Sequence, residues 1–544
     1  MADVTVESLA AIDSPRKNND GQWVVWINTT TGYVFLVDTG DDFNCLQSTD
    51  SGATWTGFNG GFSTIKTGVV EAFAVWYDKW TPGNTGALIH LAYIDNTPDD
   101  VFYNNIDTAD DSTNGEVTIK ALTSVSPAGG PRISITRARG GNLYCAGTID
   151  GGTEVFFARS TDVGATWADR TACFEAAADQ IRLFPANTSD SQDIGAIYWD
   201  ISAGEATIKM IDDSANTTTE FATPIATGLT DLALLTGNPQ YALSVRHSDS
   251  HILLALWNAP DNAASDLLFL DITAESITTP VVTAKTNLVT NTANCSLVAV
   301  FINQNTDDIY VTVVGKPDGT ETLPSGTANL WYFISTDGGT TWTAVASAVQ
   351  YSATGRDHRA IASGLGGTTT RFEPAFYDDD LDDIFVNVDN SIAITPPTAA
   401  ITGTATASIT EADVVAGGKT IIITLTGDTW IAAGAGSFDL QRDEIAAGVD
   451  SAQSEATGWD AVVKAGIDVG DVVRTSDTVV TITLDAEATY NITATETITV
   501  TVPVTALVSS NAAIVGSPTF TVTQTGGTAV KDMIGNTGFW AFAR

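Results

Sequence analysis

Ser48-Thr49-Asp50-Ser51-Gly52-Ala53-Thr54-Trp55 returns as Ser160-Thr161-Asp162-Val163-Gly164-Ala165-Thr166-Trp167 and again as Ser335-Thr336-Asp337-Gly338-Gly339-Thr340-Thr341-Trp342. The shared pattern, S-T-D-x-G-[A/T]-T-W, has the chemistry of a hairpin turn: Ser and Asp side chains bond nearby amides, Gly supplies a positive φ, and Trp packs back over the strands. Each copy follows an apolar or alternating run, 154–159 and 330–334 most clearly, so the local reading is strand, turn, strand.

The octet resembles the Asp-box, or BNR, repeat of sialidase-like β-propellers, and three nearly identical copies make the match specific. The resemblance implies an all-β propeller whose boxes sit on the outer hairpins of the blades, away from the central site. The box starts at 48, 160 and 335 are 112 and 175 residues apart. Those gaps are close to two and three units of about 56 to 58 residues, the size of a four-stranded blade with generous loops. Strand pairs without a box fill them: 87–93 with 101–103 across the turn Asn96-Thr97-Pro98-Asp99-Asp100, 194–199 with 206–211, and 252–257 with 267–270. Dividing 1–393 by that unit predicts seven blades; six is the alternative, because the pair 375–377 and 384–386 fits either register. In the seven-blade reading a strand near 4–9 pairs with the last blade and closes the ring.

At Thr395-Pro396-Pro397-Thr398 the aromatic-rich blades give way to Thr, Ala and Val alternation, and a linker belongs there. The runs 420–425, 478–484 and 496–502 are two-period and rich in β-branched residues. They predict an Ig-like β-sandwich over 394–525 with a short helix around 459–465. In style this segment is similar to the Ig-like modules appended to bacteriophage and bacterial surface proteins. A tail over 526–544 ends in Gly538-Phe539-Trp540-Ala541-Phe542-Ala543-Arg544, whose aromatics pack on the same chain or on a partner.

Across 544 residues, 24 Lys plus Arg stand against 65 Asp plus Glu, a formal net charge of -41. So negative a surface repels phosphate backbones and anionic membranes, which excludes nucleic acid as a partner. The acid is spread over both parts: 16 acids and 6 bases in 394–544, 49 and 18 in 1–393. That distribution suits a highly solvated surface rather than an acidic tail. A hydrophobic content of 43% is enough for a packed core. No uninterrupted apolar run reaches the roughly 20 residues needed to span a bilayer. Residues 1–15 show no basic region followed by a hydrophobic stretch, so no secretory signal is expected. Cys45, Cys145, Cys173 and Cys295 are widely scattered without a CxxC, the pattern of buried free thiols rather than of a disulfide framework or zinc ribbon.

Sialidases, as the resemblance implies, hold a substrate carboxylate with three arginines, attack with a Tyr activated by a Glu, and use an Asp as acid/base. The planar guanidinium fork is what makes arginine the carboxylate clamp. The family's first such arginine lies in an [F/Y]RIP motif ahead of the first box. Here that region offers only Ser14-Pro15-Arg16-Lys17, and no other position matches a family catalytic motif, so no catalytic residue is assigned. Arg371, Glu373, Ala375 and Tyr377 alternate with period two, and Pro374 favours an edge such as the innermost strand of a blade. With Arg132, which follows Pro131 at the start of another channel strand, Arg371, Glu373 and Tyr377 are the candidate ligand-binding residues. The competing reading is a surface charge pair beside a half-buried aromatic.

Arg159 and Arg170 flank a box and belong at the outer edge. Trp76, Tyr77 and Trp80 suit either sugar stacking or packing between blades. His247 and His251, with Ser248-Asp249-Ser250 as a turn between them, read as surface histidines rather than zinc ligands. Asp378-Asp379-Asp380-Leu381-Asp382-Asp383 gathers five carboxylates in a turn. There Asp378, Asp380 and Asp383 are candidate calcium ligands, against a solvated acidic tip without EF-hand spacing; no other cofactor or metal is expected.

Two functional classes follow. The first is a non-enzymatic virion or surface structural protein, a phage-like fibre, spike or decoration component, whose propeller recognises host-surface glycans and whose Ig-like module joins an assembly. It combines outside-type architecture with the expected lack of a signal, and it places the protein in a virion, or at a cell surface by a non-classical route. The second is an exo-sialidase or related glycoside hydrolase, which would need three arginines converging on one carboxylate.

Overall fold

The computed structural model describes residues 3–8, 22–58, 64–122, 125, 132–149, 154–170, 180–200, 205–221, 224–227, 241–257, 267–285, 288, 296–316, 328–343, 349–356, 358–394, 398–402, 409–427, 430, 442, 445, 472–492, 496–499 and 519–523. The chain divides into two compact units, Met1–Thr395 and Pro396–Arg544.

Among the described residues, the strands of the first unit form seven main sheets and one two-stranded ribbon. Each main sheet is built on an antiparallel meander whose successive strands are hydrogen-bonded neighbours. The first meander is Val24–Trp26, Gly32–Val37, Phe43–Ser48 and Thr56–Gly57, and the second is Val70–Tyr77, Leu88–Asp95, Asp100–Asp107 and Ser112–Thr113. The third is Arg132–Arg137, Leu143–Ile149, Glu154–Ser160 and Ala168–Asp169, and the fourth is Gln180–Pro185, Ile194–Asp200, Glu205–Asp212 and Thr217–Glu220. Tyr241–Val245, Ile252–Trp257, Leu267–Thr273 and Val281–Ala284 make the fifth; Ser296–Asn303, Asp308–Val314, Ala328–Ser335 and Val349–Arg356 make the sixth. The seventh holds His358–Ala362, Ala375–Asp378 and Asp383–Val386, and takes its fourth strand, Val4–Ser8, from the N-terminus.

First strands of successive sheets touch: Val70–Tyr77 meets Arg132–Arg137, which meets Gln180–Pro185, and Ser296–Asn303 meets both Tyr241–Val245 and His358–Ala362. Meanders that contact one another through their first strands fit a β-propeller, with those strands lining the hub. The N-terminal strand is joined to the last sheet, where Val4 pairs with Val386 and the Asn387 Nδ2 donates to Asp3 Oδ1 at 2.9 Å. Val70–Tyr77 is buried at all eight positions. A strand covered on both faces loses the polar-apolar alternation of a half-solvated one, which is why 72–77 reads as continuous hydrophobicity after Glu71.

Residues 371–377 do not form the single strand that their period suggests. Thr370–Phe372 pairs with Ile392–Ile394 in the two-stranded ribbon, Glu373-Pro374 break the ladder, and Ala375–Asp378 is the second strand of the seventh sheet. Proline cannot donate to a ladder, which accounts for the break. The ribbon also holds residues 392–394 in the first unit.

In the second unit Thr398–Thr402, Thr420–Thr426, Val479–Thr483 and Val472–Ser476 form one sheet, and Ile409–Thr410, Thr519–Thr523 and Glu496–Thr499 another. Ile421, Ile423, Val480 and Ile482 of the first share a core with Phe520 and Val522 of the second, closed by Trp430 and Tyr490. A helix, Glu411–Ala416, starts at a capping box in which Thr410 and Asp413 bond each other's backbone amides. The box is legible as Thr410-Glu411-Ala412-Asp413, with Asp in the place of the usual Glu or Gln. The helix expected at 459–465 and the tail 526–544 lie outside the described residues.

Candidate ligand-binding site

The three octets fold into the same turn, each between the third and fourth strands of its sheet. In the first, the Ser48 hydroxyl donates to Asp50 Oδ1 (2.9 Å) and accepts from the Gly52 N–H (2.9 Å), while Thr54 donates its N–H to Asp50 Oδ1 (2.8 Å) and its hydroxyl to Oδ2 (2.6 Å). The Trp55 indole closes the turn on Gly52 O at 3.1 Å. Ser160, Asp162, Gly164 and Trp167 repeat these bonds, as do Ser335, Asp337, Gly339 and Trp342. Gly52, Gly164 and Gly339 have φ of 83°, 90° and 87°, the left-handed region open to glycine.

These glycines are also contact points between sheets. A Cβ on Gly164 would lie 2.0 Å from the Tyr103 ring of the second sheet, and one on Gly339 would lie 2.5 Å from Phe269 of the fifth. Trp167 and Trp342 pack on the same two aromatics, at 5.5 and 4.9 Å between ring centroids. Gly52 meets Glu373, next to the seventh sheet.

Where the second and fourth sheets lack an octet, an aspartate serves instead. The Tyr33 hydroxyl of the first sheet donates to Asp111 Oδ1 (2.6 Å), and the Tyr144 hydroxyl of the third donates to Asp213 Oδ1 (2.5 Å). Arg159 and Arg170, which flank the second box, both engage Asp213.

At the hub, residues 363–367 leave the first strand of the seventh sheet and cross the ends of other first strands. Leu365 O accepts from the Ser244 hydroxyl and from the Ile302 N–H (3.2 Å), and Gly366–Gly367 pairs in parallel with residues 302–303. Gly366 has φ of 147°, and a Cβ there would lie 2.4 Å from Ile302 O, so only glycine fits this approach.

Beside this plug is a cavity of about 440 Å³ lined by Trp26, Tyr77, Lys79, Asn84, Thr85, His247 and residues 366–370. Trp26 and Tyr77 end the first strands of the first and second sheets, and His247 follows that of the fifth. Because a meander's third strand runs parallel to its first, the cavity opens at the end of the sheets that also carries the octet turns. Arg371 stacks over the Trp26 ring at 5.5 Å and Trp55 meets its edge at 5.7 Å, so the cavity wall is braced from behind. Burial pushes the His247 imidazole down to about 4, leaving it neutral at ordinary pH.

The candidate ligand residues do not converge. The Arg371 Nε donates to Glu373 Oε2 at 2.8 Å and the Tyr377 hydroxyl to Asp382 Oδ1 at 2.8 Å, while Arg132 begins the first strand of the third sheet. Two more arginines are likewise paired with separate carboxylates, Arg137 with Asp78 and Arg246 with Asp249 and Asp271. Trp76 and Trp80 pack edge to face at 5.9 Å and are buried, whereas Tyr77 reaches the cavity. His251 bonds Asp271 at 2.6 Å. Asp378 and Asp383 end and begin the strands flanking the acidic turn, and Asp378 Oδ1 accepts the Asp380 N–H at 3.1 Å. Among the described residues no group of three or more His, Cys, Asp or Glu is arranged to hold a metal. Cys45 and Cys145 are buried; Cys173 and Cys295 lie outside the described residues. The cavity was not legible in the sequence, since its walls come from four sheets far apart in the chain.

No family model matches the chain, and no curated protein matches it. Among solved structures the chain is similar to a lectin from Burkholderia pseudomallei, with 16% identity over 68% of this chain and 95% of that one at a TM-score of 0.46. It is also similar to an ulvan lyase, with 10% identity over 71% and 95% at 0.42. A Hadza microbial sialidase overlaps with 13% identity over 64% and 74% at 0.35.

Proposed function

We propose that the chain is a non-enzymatic structural protein of a virion or cell surface, a fibre, spike or decoration component, that binds host-surface glycans through a seven-bladed Asp-box propeller carried with an Ig-like module. Seven sheets with an N-terminal closing strand, three turns sharing one hydrogen-bond scheme, and two sheets over one core in the second unit support this architecture. The observation that carries the non-enzymatic reading is the dispersal of the arginines: Arg137, Arg159, Arg246 and Arg371 each bond an acidic side chain of this protein, in four different places. A guanidinium already paired in this way is not free to clamp a substrate carboxylate. The hub-side cavity, with aromatic walls and hydroxyl-bearing rim, supports glycan recognition without hydrolysis.

The test uses the full chain on a glycan array and with a fluorogenic sialoside. Retention of glycans with no release of fluorophore is the expected outcome. Turnover of the sialoside would overturn the reading in favour of the exo-sialidase, and an array with no bound glycan would overturn the recognition role. Labelling of intact particles or cells with antibody to the propeller tests the surface location.

A further inference from the structure

Lys79 is an exposed cation at the cavity, in a protein whose net charge is -41. Elsewhere in the first unit lysines are tied to acids, as Lys66 is to Glu116 (2.8 Å) and Lys120 to Asp169 (2.5 Å). Among the described residues Lys79 has no carboxylate partner; its Nζ stands 5.9 Å from the centroid of the Tyr77 ring, itself a cavity wall. The short helical turn Asp78–Trp80 holds it there, anchored by Asp78, which bonds His90 Nε2 at 2.8 Å and pairs with Arg137. The hydroxyls of Thr85, Thr368 and Thr369, all on the cavity and exposed, take part in no protein hydrogen bond among the described residues. Asn84 turns its oxygen to the Gly86 N–H (2.7 Å), which leaves its amide donors for a ligand.

We infer that this cavity, at the end of the sheets carrying the octet turns, binds an anionic sugar unit, a uronate ring, with Lys79 as the partner of its carboxylate; the inference rests on the glycan-binding reading above. The chemistry is matched group by group. Three hydroxyls and an amide complement ring hydroxyls, Trp26 and Tyr77 offer apolar wall to the C–H faces of a pyranose, and the single ammonium accounts for a single negative charge. Elsewhere the field of this acidic protein repels anions, so an acidic sugar is held where a cation stands without an internal partner. The volume, about 440 Å³, falls in the range of small-molecule sites.

The experiment is calorimetric titration of the full chain with a glucuronate-terminated disaccharide and its glucose-terminated counterpart. The acidic sugar is expected to bind roughly tenfold more tightly, with Lys79→Glu losing at least that factor and Lys79→Arg retaining it. Lys79 is exposed and unpaired, so both variants should melt like the parent chain. Equal affinity for the two sugars, or binding indifferent to Lys79→Glu, would overturn the inference. If the chain holds only neutral glycans on the array, the inference falls while the glycan-binding reading stands; if it holds none, that reading falls too.

Discussion

Glu373 is fully buried where the first octet turn meets the seventh sheet, and only its Oε2 is bonded, to Arg371. Among the described residues its Oε1 has no hydrogen-bond partner. Burial raises its pKa from 4.5 to about 7, against the pull of the Arg371 guanidinium. A carboxyl raised on folding adds stability below its unfolded pKa and loses it as pH climbs through the folded value. The first unit should therefore weaken between pH 4.5 and 7, by about 3 kcal/mol from this residue. Urea unfolding across that range should show Glu373→Gln lacking this part of the slope. An identical slope in the two proteins would mean that the carboxyl is already ionised at low pH. The sequence offered Arg371 and Glu373 as a ligand site or, alternatively, a surface charge pair; they pair, but buried, because Glu373 packs against Gly52, over 300 positions away.

At the level of the element, the octet acts as a clasp between sheets. The Ser335 hydroxyl accepts the buried Gly339 N–H at 2.8 Å, and Gly339 seats against Phe269. Ser335→Ala strands that amide and should cost about 1–3 kcal/mol. The exposed neighbour change Thr336→Ala should stay within about 0.5 kcal/mol. Paired thermal melts read both; equal effects would show that the hydroxyl does not brace the turn. Local hydrogen bonding made the octets legible, since every partner lies within eight residues. The clasps from Tyr33 to Asp111 and from Tyr144 to Asp213 do the same task across 78 and 69 positions and leave no local motif.

For the whole molecule, the joining of the chain's beginning to residue 386 is the decisive contact. Removal of residues 1–8 deletes the fourth strand of the seventh sheet and the bond from Asn387 to Asp3. It exposes the edge of Asp383–Val386, which invites association. Calorimetry should show the transition of the first unit move down by several degrees while that of the second is unchanged. A melt unaffected by the deletion would show that ring closure does not depend on this strand.

Repeats and turn chemistry, read from the chain alone, were enough for the all-β class, the octet turns and most of the strand pairs, because those features rest on bonds between residues close in sequence. The sequence placed Pro374 on an edge strand and missed the break it makes, and the capping box at Thr410 could have announced its helix. The plug at 363–367, the cavity beside it and the state of Glu373 and Lys79 were decided only in three dimensions. Each depends on which sheets meet, and that follows from packing whole apolar faces together rather than from any local pattern.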